Sequence, residues 1–164
     1  MMIEGSSQEL HLKLLIEHHL QKIFGLVIYL VWGNSDRAYD ITVSSFIEAF
    51  FLTPSLEKEE VFLANLTGAA IEKCRNTKVI PSFEESDFID LPPHKKAALL
   101  ITKQAFDELA FDEKALLLLR DQLHFAYRDI AGVFNSSESE VKIKITHARI
   151  KLRDGIKEIL DHAQ

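Results

Sequence analysis

Residues 125–153 read FAYRDIAGVFNSSESEVKIKITHARIKLR. Apolar residues recur there at helical spacing on both sides of a short polar break, so the stretch reads as two helices, over 127–134 and 137–162. A short helix, a turn of a few polar residues and a longer helix are the proportions of a helix-turn-helix. Ile130, Ala131, Phe134 and Val141 stand where such a pair buries its shared core, and Ala131 is small, as a close crossing requires. Ser137 is a good N-cap and Glu140, three residues on, completes a capping box. Within 141–153 the cations Lys142, Lys144, Arg149, Lys151 and Arg153 face no acidic residue. An amphipathic helix with Lys and Arg toward its C-terminus is the plainer account of that charge, because it suits the helix dipole. In a helix-turn-helix the second helix enters the major groove, and Lys142, Lys144, His147 and Arg149 would then face phosphates or bases.

The charge balance outside this stretch is different. Over residues 1–94, 7 Lys and Arg stand against 14 Asp and Glu, a balance of −7; over 95–164, 12 stand against 11, a balance of +1. The overall net charge of −6 therefore hides a basic helix in an acidic chain. Hydrophobic residues make up 47% of 164 residues, which supplies a core and excludes global disorder. Only 6 Gly and 4 Pro are present, which favours helices over a turn-rich β fold.

Upstream, helical periodicity extends over 9–32, 36–52 and 57–75, with Asn34 or Ser35 as a cap for the second helix. In that second helix Ala38, Ile41, Ser45, Phe46, Ala49 and Phe50 lie near one face. In the third, Val61, Phe62, Leu63, Leu66, Ala69, Ala70 and Ile71 are expected inward. Residues 76–94 (NTKVIPSFEESDFIDLPPH) hold three prolines and four acids without a period, and read as a linker whose Phe83, Phe88, Ile89 and Leu91 could dock on a neighbouring surface. Helices resume at 97–109 and 112–121. The fold class expected is all-α, as two small helical domains, 1–76 and 95–164, joined by an acidic linker over 77–94.

Chemistry other than binding finds little support. Cys74 is the single cysteine, so no intrachain disulfide or Cys-based zinc site can form, in keeping with a reducing cytosol. His18 and His19 are the densest histidine cluster, but neighbours on a helix point about 100° apart and no ligand lies at i+4 from either. They read as a solvated or interfacial face, and no metal or cofactor is expected. No phosphate loop, nucleophile elbow or HExxH pattern occurs, so no enzyme is expected. The N-terminus lacks a signal-peptide pattern and the apolar run 23–32 is about half a bilayer span, so a cytoplasmic protein without membrane insertion is expected.

The stretch 106–156 resembles the C-terminal domain, region 4, of bacterial RNA polymerase sigma factors, especially the extracytoplasmic-function group. Lys114, the leucines Leu116–Leu119 with Arg120, then Tyr127, Asp129, Ile130 and Ala131, then Val141 with Lys142, and finally Ala148, Arg149 and Leu152 follow the family's order. The upstream segment GNSDRAYDITVSSFIEAF (33–50) is similar to sigma region 2, with Ala38, Asp40, Ile41, Thr42 and Phe46 in matching order. VFLANLTGAAIEKCR (61–75) lies where that family has its promoter-melting helix. The resemblance spans about 10–75 and 97–160. It implies a transcription-initiation factor with core RNA polymerase and promoter DNA as partners, and it allows an anti-sigma factor. It assigns DNA contacts to Ser137, Ser139, Glu140, Lys142, Ile143, Lys144, Thr146, His147 and Arg149. It assigns polymerase contacts to Asp36, Tyr39, Asp40, Val43, Ser44 and Ile47.

Departures from the family pattern sit at the expected contacts. Val43 and Tyr39 stand where Gln and Glu are usual; Glu140, His147 and Ile143 stand where Thr, Arg and a small polar residue are usual. The melting segment lacks the usual aromatics and arginines, and its Phe62 reads as core. Glu140 reads as a capping carboxylate ahead of a cytosine acceptor. These departures leave a second reading: a sigma-like regulator that has lost melting and acts through a protein partner.

Overall fold

The structure, a computed structural model, describes residues 3–53, 58–78 and 92–162, with side chains from residue 9. Among these residues it contains seven α-helices and no strand. They are α1 (Ile3–Leu30), α2 (Ser35–Leu52), α3 (Glu59–Arg75), α4 (Pro93–Asp107), α5 (Phe111–Leu117), α6 (Tyr127–Val133) and α7 (Glu138–His162). Phe83, Phe88, Ile89 and Leu91 of the expected linker lie outside the described residues.

The chain divides into two compact units. The first is built on α1, α2 and α3, each packed on the other two. Helix α1 closes with Trp32 and Gly33 at positive φ (60° and 78°), the Gly33 N–H donating to Ile28 O at 2.8 Å and that of Trp32 to Tyr29 O. These are the six-to-one and five-to-two bonds that satisfy carbonyls at a helix end. Asn34 then caps α2, its side chain accepting from the Arg37 N–H at 2.9 Å. Phe62 of α3 is fully buried, with its ring centroid 4.9 Å from that of Phe50 and 6.3 Å from that of Phe46. Burying such a side chain contributes about 1.5–3 kcal/mol.

Two expectations are corrected here. Val61 is exposed, because turning Phe62, Leu66, Ala69 and Ala70 inward leaves it on the outer flank of α3. His19 is not a solvated residue: it is 3% exposed. Cys74 is buried, and burial pushes its thiol up to about 12.

The second unit is organised by α7, which packs on α4 and α5. Val141, Ile145 and Ala148 are fully buried, one to two turns apart on a single stripe. The helix expected over 112–121 is α only to Leu117. It continues as a π turn over Leu118–Gln122, ended by the Leu123 N–H donating to Leu118 O at 2.9 Å. A regular α-helix spreads four successive side chains around its axis. The widened turn lets Leu116, Leu117, Leu118 and Leu119 all be buried.

Candidate nucleic-acid interface

The turn between α6 and α7 is built from local bonds. Asn135 takes the left-handed conformation (φ 47°), and the Ser136 N–H donates to Ala131 O at 3.0 Å. Ser137 caps α7 as its sequence suggests. The Glu140 N–H donates to Ser137 Oγ at 3.2 Å, and Glu140 Oε2 accepts from the Ser137 N–H at 2.8 Å. The Ser137 hydroxyl donates to the same carboxylate oxygen at 2.9 Å. These bonds, the backbone one foremost, hold the Glu140 carboxyl below its ordinary value. The carboxylate thus has a local structural task at the helix start. Ile130, Ala131 and Val141 are buried, as the helix-turn-helix pattern requires, whereas Phe134, expected in the same core, is only half-buried.

Every candidate DNA contact, Ser137, Ser139, Glu140, Lys142, Ile143, Lys144, Thr146, His147 and Arg149, is exposed. Their arrangement around α7 differs from a simple basic face. At 100° per residue, the direction opposite the buried stripe carries Ser139, Ile143, Thr146, His147 and Ile150. None of these is a permanent cation, and Ile143 is 56% exposed. The cations among the candidate contacts, Lys142, Lys144 and Arg149, stand on the flanks.

Several of those cations are held within the unit. The Arg149 guanidinium makes a two-pronged pair with Asp121, Nε to Oδ2 at 3.1 Å and Nη2 to Oδ1. Asp121 raises the Arg149 pKa further above its ordinary value, with Tyr127 contributing. Lys142 Nζ lies 5.3 Å from the Tyr127 ring centroid, and the Arg120 guanidinium lies 4.4 Å from it. Arg120 also donates to Phe125 O at 2.7 Å. Lys151 pairs with Glu113, which also accepts from the Ala110 N–H at 2.9 Å; the Lys151 bond is the main reason the Glu113 carboxyl lies below its ordinary value. Tyr127 and Asp121 therefore organise the basic flank. Sequence reasoning did not single them out for this, because 28 residues separate Asp121 from Arg149.

The expected polymerase contacts lie together on α2. Tyr39, Val43 and Ile47 are exposed at four-residue intervals, and Phe51, 84% exposed, continues the stripe. Asp36 and Asp40 are exposed near its start, while Ser44 is half-buried and donates to Ile41 O at 3.1 Å. In α3, Lys73 pairs with Glu48 and Arg75 with Glu72. No helix among the described residues is long and apolar enough to cross a membrane.

No curated protein matches the chain. Residues 91–152 match the family described as sigma-70, region 4. The match takes in α4 to α6 and the first half of α7, with the capped turn and the exposed candidate contacts. The C-terminal part of this chain is therefore similar to sigma-70 region 4.

Proposed function

We propose that the chain is an RNA polymerase sigma factor of the extracytoplasmic-function type, which binds core polymerase and directs it to promoters. The region 4 match on a capped helix-turn-helix carries this reading. In it, Ser139, Ile143, Thr146 and His147 face base edges, and Ser137, Glu140, Lys142, Lys144 and Arg149 flank the groove. The neutral outer face of α7 favours apolar contact with thymine methyl groups and hydroxyl contacts over a dense set of phosphate bonds. Core polymerase docks on the exposed stripe of α2, through Asp36, Tyr39, Asp40, Val43, Ser44 and Ile47. Large apolar side chains in a line on one helix are suited to a protein surface. The first unit, residues 1–76, is the polymerase-binding domain and 95–164 the promoter-binding one, with 77–94 joining them. The protein works in the cytoplasm, and an anti-sigma factor is a further partner.

A specific observation favours a second reading, a sigma-like regulator without promoter melting. Phe62 is sealed in the core, and Lys73 and Arg75 are paired with acids of their own unit. Flipped bases need aromatic platforms and cations, and these three residues provide neither in this state. Run-off transcription with this protein as the sole sigma factor separates the two. Transcript from a cognate promoter supports the first reading. Binding of core polymerase without transcript supports the second, and absence of core binding removes the first.

A further inference from the structure

Helices α1 and α3 bring together three groups to which the proposed function assigns no role. His19 Nε2 lies 2.9 Å from Glu59 Oε1, and His18 Nδ1 lies 4.0 Å from the same oxygen. The two imidazoles stack with centroids 4.7 Å apart. One ligand atom from each of the three side chains lies within 4.8 Å of the other two. His19 is the anchored member, 3% exposed, while the side chains of His18 and Glu59 are 62% and 50% exposed. The cluster is thus rigid on one side and open to solvent on the other.

We propose that His18, His19 and Glu59 form a binding site for one divalent transition-metal ion of the zinc class, clamping α1 to α3. Two imidazole nitrogens and a carboxylate oxygen are a ligand set that zinc accepts, with water completing the tetrahedron. Bonds of about 2.1 Å at tetrahedral angles put ligand atoms roughly 3.4 Å apart. The separations from Glu59 Oε1, 2.9 Å to His19 and 4.0 Å to His18, lie on either side of this, and the exposed His18 side chain can close the difference by a small rotation. Nδ1 of His19 is buried without a hydrogen-bond partner, so a doubly protonated ring would bury a charged N–H with no acceptor. The ring stays neutral, which is the form a metal needs. As the ion takes the Nε2 lone pair, the ring proton moves to Nδ1. Because nothing receives that N–H, affinity should be lower than at zinc sites whose histidines have such an acceptor. A hard ion such as Mg²⁺, which takes oxygen ligands, is excluded by the two imidazoles.

The test is calorimetric titration of the full-length, chelator-treated protein with zinc chloride, with magnesium chloride as control and thermal melting in parallel. One zinc per chain, a raised melting temperature and no magnesium heat are expected. His18→Ala and Glu59→Ala change exposed groups, so the metal-free protein should stay folded; each should weaken zinc binding by about tenfold or more. Cobalt should give the visible absorption of a tetrahedral site in the parent and not in the variants. Absence of saturable zinc binding overturns the proposal. So does unchanged binding in His18→Ala and Glu59→Ala, which would put the ion on other histidines.

Discussion

Glu140 bears on both halves of what α7 does. Its carboxylate accepts from the backbone and hydroxyl of Ser137, so it is ionised more easily in the folded chain than in the unfolded one. The stability this contributes is present in full above the ordinary carboxylate value of 4.5 and is lost as pH falls through the lower folded value. Glu140→Gln keeps a side chain that can complete a capping box but cannot ionise. Thermal melts of this variant should depend less on pH below 4.5 than those of the parent, and an equal dependence would place the acid sensitivity elsewhere. Ser137→Ala removes the hydroxyl that receives the Glu140 N–H, and should cost about 1 kcal/mol in chemical denaturation. Cys74 offers a separate reading of the first unit. Its thiol is buried and raised to about 12, so it should resist a thiol reagent at pH 8 in the native chain and react at once in denaturant.

At the scale of elements, α7 illustrates the difference between carrying charge and presenting it. Its basic flank is bound to Asp121, Tyr127 and Glu113, while its outer face shows Ile143 and Ile150. The Arg149–Asp121 pair is exposed on both sides, and such pairs are worth about 0.2–1 kcal/mol. Breaking it should therefore be tolerated. Asp121→Asn releases the guanidinium, so duplex binding should strengthen and the log–log salt slope should steepen by about one. An unchanged slope, read by fluorescence anisotropy across a salt series, would mean that Arg149 does not reach a phosphate. The π turn that contains Asp121 belongs to the same element-level logic. It buries the leucines Leu116–Leu119 together, and it supplies the carboxylate that meets Arg149.

For the whole molecule, division into two compact units suggests activities that can be tested one at a time. Ile47→Asp puts a charge into the exposed α2 stripe without disturbing buried side chains. It should abolish pull-down of core RNA polymerase by the full chain while leaving duplex binding by the C-terminal unit unchanged. Loss of both would indicate general destabilisation, and loss of neither would remove the stripe from the polymerase interface.

Periodicity, a polar break and the Ser137–Glu140 spacing were enough to read an all-α chain with a capped helix-turn-helix, because those signals are local and arise within one or two turns of chain. The exposed stripe Tyr39–Val43–Ile47 also follows from four-residue spacing on one helix. Other features required the folded chain. Whether Val61 faced in or out depended on which neighbours α3 met. The change of helix geometry at Leu118 falls inside a run of four buried leucines, which helical periodicity does not announce. Glu59 reaches His19 across 40 residues, and Asp121 reaches Arg149 across 28, so neither pair leaves a mark at helical spacing. Sequence determined the helices and their caps, since these rest on neighbours in the chain. Tertiary structure alone decided which charges and imidazoles are available to a partner, since that depends on groups brought close only by packing.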